Sequence, residues 1–192
     1  MSVFAIKIRP GWAANLLLLL GMFLGSAVGA DETEKRRVDI SLSIFPRIVA
    51  VDNHFREKLD ADKKAYLLFL YDKDEGYARH LVERIQENNQ NIGGKYVVAN
   101  VLSVNSNLQN IALPTAIFIV EKLSDAQLKK VMAFSERAHR LVFSPFSGDV
   151  ERGVTVGISV TNRVKPYFNL SSLERSKIVI NALLMKMSKR YD

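Results

Sequence analysis

Apolar positions along this chain follow distinct rhythms, and each rhythm predicts an element. Residues 65–71 are a short unbroken apolar run, the form of a strand buried on both faces. Asp72-Lys73-Asp74 breaks that run, after which Tyr77, Ala78, Leu81, Val82 and Ile85 recur at helical spacing and predict a helix to about Gln90. Gly93-Gly94 turns the chain into a second strand at 96–102. Pro114 opens a third at 115–120, at a position where a missing N–H is tolerated. Ser124 with Gln127 reads as a capping box, starting a helix whose face is set by Leu128, Val131, Met132 and Ser135. Residues 141–143 then read as a fourth strand.

The flanks are patterned differently. Residues 31–37 are charged and read as a flexible lead-in. Over 38–59, Ile40, Ile44, Ile48 and Val51 recur at helical spacing, with Pro46 bending or starting that helix. Residues 154–160 and 164–170 are strand-like runs split by Thr161-Asn162-Arg163, a hairpin signal. Ser171 with Glu174 forms a second capping-box pattern. It predicts a final helix running to about Lys189, with Leu173, Ile180, Leu184, Met187 and Tyr191 on one side.

Strands alternating with amphipathic helices imply crossover units. The fold class expected is therefore α/β: one three-layer domain over 38–192, with a mixed, largely parallel sheet of about five or six strands and a C-terminal β-hairpin followed by a helix. Phe69, Ile117, Phe118, Val142, Leu184 and Met187 are the expected core.

The first thirty residues have another pattern. Lys7 and Arg9 precede an apolar run through Leu16 to Leu20 and Met22-Phe23-Leu24, and Val28-Gly29-Ala30 supplies small residues. This is the form of a secretory signal peptide with cleavage after Ala30. An uncleaved anchor is the alternative, although the run is short for a bilayer span. Removing it leaves 162 of the 192 residues, enough for one core. Export from a Gram-negative cell then places the protein in the periplasm.

Cysteine is absent, which excludes disulfides, thiolate metal sites and a lipoprotein acyl-Cys. The net charge is +7, of which Lys7 and Arg9 carry two, and much of the excess lies in Lys35-Arg36-Arg37 and in Lys186, Lys189 and Arg190. Such a surface favours anionic partners such as lipid headgroups or an acidic protein face. No nucleic-acid-binding signature is present, and no nucleic-acid partner is expected.

The catalytic inventory is thin. There is no Cys nucleophile, no Gly-x-Ser-x-Gly elbow, no phosphate loop and no dinucleotide fingerprint, so no enzyme and no cofactor are expected. His80 and Glu83, at i and i+3 of a helix, lack a third ligand; a solvated face is the simpler reading, and no metal is expected. Asn169-Leu170-Ser171 matches a glycosylation acceptor, but Ser171 is better read as a helix cap.

Residues 143–153 are the most unusual stretch. They follow the fourth strand, where ligand loops gather in parallel sheets, and combine hydroxyls, carboxylates, a guanidinium and two glycines. If a small ligand binds, Ser144, Ser147, Asp149 and Arg152 are the candidates; the alternative is a connecting loop in which Phe146 plugs the core and Asp149 caps a turn. Arg163 and Lys165, sharing a strand face with Asn169, are candidates for contact with a protein partner or are ordinary solvent-side charge.

Arg163-Val164-Lys165, then Phe168-Asn169-Leu170, then a helix ending in Leu183-Leu184 resembles the closing segment of the YfiR-like periplasmic proteins. Residue-level similarity covers about 152–187, and the coarse order of elements covers about 38–190. The resemblance implies a non-catalytic α/β domain that represses a membrane-bound diguanylate cyclase and so lowers cyclic-di-GMP output. Two departures stand out. The best-known members rely on cysteines, so disulfide-based redox sensing is not expected here. The aromatic-Pro element after the signal is answered loosely, by Phe45-Pro46. The functional expectation is thus a periplasmic regulator of an inner-membrane signalling protein, with a homodimer left open. A periplasmic small-ligand-binding protein using the 144–153 loop is the alternative, and a hydrolase with an unrecognised site is the third class.

Overall fold

The computed structural model describes residues 32–192. The signal-peptide reading of residues 1–30 lies outside the described residues. Residues 37–192 form one compact unit. A helix, α1, covers described residues 32–50. It is followed by β1 (Ala65–Tyr71), α2 (Glu75–Asn88), β2 (Asn91–Ile92), β3 (Lys95–Ser103), β4 (Ala116–Ile119), α3 (Asp125–Ala138), β5 (Leu141–Ser144), β6 (Val156–Val160), β7 (Val164–Asn169), α4 (Leu170–Arg175), α5 (Ala182–Met187) and β8 (Lys189–Tyr191).

The architecture is the expected α/β fold with a mixed sheet. Eight strands lie in the order β2-β3-β1-β4-β5-β6-β7-β8. Pairing is parallel from β3 through β6 and between β7 and β8, and antiparallel at β2–β3 and β6–β7. The count exceeds the expected five or six because β2 and β8 are two- and three-residue strands. From β1 the chain crosses to β3 on one side, then returns to β4 and β5 on the other. Right-handed crossovers in opposite directions place α2 and α3 on opposite faces, giving three layers.

The core is organised on one face by four phenylalanines. Phe69, Phe118 and Phe143 are cross-strand neighbours on β1, β4 and β5. Phe118 and Phe143 stack with centroids 5.5 Å apart, and Phe45 of α1 caps the row at 5.3 Å from Phe118 and 5.6 Å from Phe143. All four are fully buried. An ion pair of 2.5 Å between Arg84 and Asp39 ties α2 to α1 on this face. On the other face, Arg175 of α4 bonds Glu136 of α3 at 2.7 Å.

Five expectations need correction. Residues 32–37, read as a lead-in, are helical; Glu, Lys and Arg are good helix formers, and their charge says nothing against a helix. The buried apolar face of α1 is Val38, Leu42, Phe45, Ile48 and Val49, not the expected set of Ile40, Ile44, Ile48 and Val51. Ile48 alone is common to both, while Ile40, Ile44 and Val51 are only partly buried.

The final helix does not run unbroken to Lys189. It stops after α4, where Lys177 adopts a left-handed φ of 52°. The Ile178 N–H there reaches back to the Leu173 carbonyl at 2.9 Å, closing the helix end. Ile178-Val179-Ile180 then runs extended, as β-branched residues favour, and forms an antiparallel bridge to Asp52. As a result Leu184 is only partly buried and Met187 is exposed, whereas Phe69, Ile117, Phe118 and Val142 are core as expected. The cap of α4 is Asn169, whose side-chain oxygen accepts from the Ser172 N–H at 2.8 Å, and not Ser171.

Candidate functional site

The 145–155 connection folds back on itself. Asp149 is fully buried and divides its carboxylate between two donors: Ser144 Oγ at 2.6 Å to Oδ2 and Arg152 Nη1 at 2.8 Å to Oδ1. The Ser144 hydroxyl also accepts from the Phe146 N–H at 3.2 Å. Arg152 extends the network to the Leu123 carbonyl at 2.9 Å and to Asp125 at the start of α3. Burial alone would lower the Arg152 guanidinium, but its bonds to Asp125 and Asp149 more than offset this and hold it above its ordinary value. Gly157 lets β6 lie close against β5 at Ser144, because a Cβ there would stand 2.8 Å from the Ser144 carbonyl oxygen.

Ser144, Asp149 and Arg152 are therefore brought together, but their polar groups are spent on one another and on α3. Phe146 is buried, in keeping with the connecting-loop alternative. Ser147 stands apart from the network and is exposed. It lines a cleft of about 210 Å³ that also includes Glu151, Thr161, Tyr167 and Lys189. Burial, followed by a hydrogen bond to Glu151, raises the Tyr167 phenol, and the Lys189 ammonium lies 4.2 Å from the Tyr167 ring centroid.

In open parallel sheets the customary ligand position is the crevice at the carboxyl ends of the strands where their order reverses, here between β1 and β4. The chain's own side chains fill it. Glu121, just past β4, accepts from the Lys73 and Asp74 N–H groups at 3.0 and 2.7 Å. Asp72, just past β1, accepts from Gln127 Nε2 at 2.6 Å. Those N–H groups open α2, where an anionic ligand would otherwise dock. Sequence reasoning missed this stitching; the acidic pair Asp72 and Asp74 at a strand end was its only visible sign.

A groove of about 480 Å³ runs beside α3, floored by Leu128, Met132 and Ala133. It is crossed at its ends by the Arg152–Asp125 and Arg175–Glu136 ion pairs. Among the described residues no group of three or more His, Asp or Glu is placed to hold a metal ion, and His80 and Glu83 are both exposed. Asn169 is buried and donates to the Val150 carbonyl at 2.8 Å, which leaves its amide inaccessible for glycosylation.

The β6–β7 hairpin presents a different surface. Val160, Arg163, Val164 and Lys165 are all exposed. Arg163 and Lys165 have no ion-pair partner among the described residues. Asn169 does not share that surface, because β7 is covered at its far end by β8 and both neighbours of Phe168 are buried with it.

No protein-family model matches the chain, and no curated protein sequence matches it. Its fold is similar to solved structures. One is a conserved domain protein from Vibrio cholerae O1 biovar El Tor (TM-score 0.52, 14% identity, 73% of this chain and 60% of that one). Another is a substrate-binding protein with adhesive properties from Clostridium difficile, in its ligand-free, open form (TM-score 0.50, 13% identity, 70% of this chain and 60% of that one). The chain spans about 60% of the length of each. Likeness at this identity shows the shared α/β fold.

Proposed function

We propose that this chain is an exported, non-catalytic regulatory protein that binds and modulates an inner-membrane signalling partner, for which the YfiR-like resemblance nominates a diguanylate cyclase. The observation that carries the reading is the hairpin tip, where two unpaired cations, Arg163 and Lys165, stand beside two exposed valines, Val160 and Val164. Apolar area flanked by unneutralised charge suits a protein surface, and the cations steer an acidic partner face toward it. The self-bonded 144–152 network and the crevice between β1 and β4 support the same reading, since the Ser144 hydroxyl, the Arg152 guanidinium and the Lys73 and Asp74 N–H groups already donate within the chain.

Deleting the gene should raise cellular cyclic-di-GMP, and the Arg163→Glu, Lys165→Glu double variant should mimic the deletion while keeping its fold by circular dichroism. Unchanged cyclic-di-GMP in the deletion strain, with the wild-type protein shown to be expressed, overturns the cyclase reading.

The small-ligand reading retains one supporting observation, the cleft in which Ser147, Glu151 and Lys189 converge. It requires that Ser147→Trp abolish binding in a screen of small anionic and zwitterionic metabolites.

A further inference from the structure

The exposed surface at the C-terminal end combines apolar side chains with cations. Leu183 and Met187 lie one helical turn apart on α5 and are 67% and 58% exposed. Val179 precedes them in the extended segment and points outward, because Ile178 and Ile180 on either side of it are buried. Interleaved with these are Lys177, Lys186, Lys189 and Arg190, all exposed, and no Asp or Glu occurs between Glu174 and Asp192. None of the four cations has an ion-pair partner among the described residues. Lys189 rests on the Tyr167 ring, which leaves its charge unneutralised.

Burying these apolar side chains in the core would have removed them from water; the break at Lys177 turns them outward instead. A protein that leaves Leu and Met on a helix face among unpaired cations has the two parts of a peripheral membrane contact. Apolar groups enter the headgroup boundary while lysines and arginines meet lipid phosphates. We infer that residues 177–190 form a docking surface for an anionic phospholipid bilayer. Charge selects this occupant. The segment is uniformly basic, so it repels a second copy of itself, while an anionic lipid surface presents complementary charge at any rotation about the membrane normal. The inference is independent of the cyclase reading, since it concerns a different surface and a different partner.

The absence of cysteine permits a site-specific test on the full chain. Single variants Leu183→Cys and Met187→Cys, labelled with an environment-sensitive fluorophore, are mixed with vesicles of phosphatidylcholine alone or with 30 mol% phosphatidylglycerol added (about one lipid in three anionic, enough to set a surface potential). A label at Tyr96→Cys, exposed on β3 near the opposite edge of the sheet, serves as the control. Because the readout is local, membrane binding by any other part of the chain does not register at positions 183 and 187.

The expected result is a blue shift and rise in emission at 183 and 187 on the anionic vesicles, absent at 96. Lys186→Glu with Arg190→Glu should weaken the response by about tenfold or more, since each cation near such a surface contributes roughly a fivefold factor. No change at 183 and 187, or an equal change on neutral vesicles, overturns the inference. A change at these positions that grows with protein concentration in the absence of vesicles also overturns it, and assigns the surface to a second copy of the chain.

Discussion

Asp149 and Arg152 form an ion pair across one turn of chain, 2.8 Å apart, with the carboxylate fully buried and the guanidinium reaching solvent. The pair explains why a loop rich in hydroxyl and charged groups is an internal brace. Both carboxylate oxygens of Asp149 are taken, one by Arg152 and the other by Ser144, so the carboxylate holds β5 to the turn that leads to β6.

Removing that carboxylate should be costly. Asp149→Ala leaves the Ser144 hydroxyl and the Arg152 guanidinium without their buried acceptor, and a loss of about 3 kcal/mol is expected in urea titration. Asp125→Ala removes only a 94% exposed partner of Arg152 and should cost no more than about 1 kcal/mol. Equal losses for the two variants would refute the bracing role.

The core and the C-terminal segment should separate in the same assay. Phe118→Ala deletes the centre of the phenylalanine row and should cost about 3–5 kcal/mol. Met187→Ala should fall within about 0.5 kcal/mol of wild type, as surface changes do. A large loss at Met187 would mean that the side chain is packed.

Asn169 and Ser171 offer a direct choice of cap. Asn169 caps α4 and also binds the Val150 carbonyl, so Asn169→Ala should cost about 2 kcal/mol, at the upper end for a cap because the Val150 oxygen loses its donor as well. Ser171 is exposed, and Ser171→Ala should be close to neutral. The reverse order of losses would restore the cap that the sequence pattern suggests.

Tyr71 and Glu75 should titrate as a pair. The phenol donates to the Glu75 carboxylate at 2.8 Å, and this bond, ahead of burial, raises Tyr71 above the ordinary 10.0. The same bond, ahead of the pairing with Arg79, lowers Glu75 below 4.5. For Tyr71 the stabilisation is fully present below the unfolded value and lost as pH rises through the higher folded one. For Glu75 it is present above the unfolded value and lost as pH falls through the lower folded one. Glu75→Gln should bring the Tyr71 titration, followed by residue-specific NMR, back toward 10.0. An unmoved Tyr71 would show that the hydrogen bond does not cause the shift.

All six strands of the sequence reading are present, and β1 coincides with it at residues 65–71. Such runs are legible because a strand buried on both faces has no polar position, whatever its neighbours are. The capping box of Ser124 and Gln127 was equally legible, being a contact between residues three apart. The site was less so. Residue types in the 144–152 loop announced polar chemistry, but the same hydroxyl, carboxylate and guanidinium serve a ligand or an internal network, and composition does not distinguish the two.

What the sequence determined by itself is local and periodic: the strand runs, the amphipathic faces of α2 and α3, the β6–β7 hairpin, the lack of cysteine and the basic ends. What only the tertiary structure decided is which groups meet across long separations. Asp149 is spent on Ser144 and Arg152, Glu121 fills the crevice beside Lys73 and Asp74, and the bridge between Asp52 and Ile180 draws the last segment out of its helix and leaves Leu183 and Met187 facing outward. The reason is physical. Periodicity records how often a side chain meets the core along one element, whereas hydrogen bonds and bridges between distant segments depend on a register that exists only once the sheet has formed.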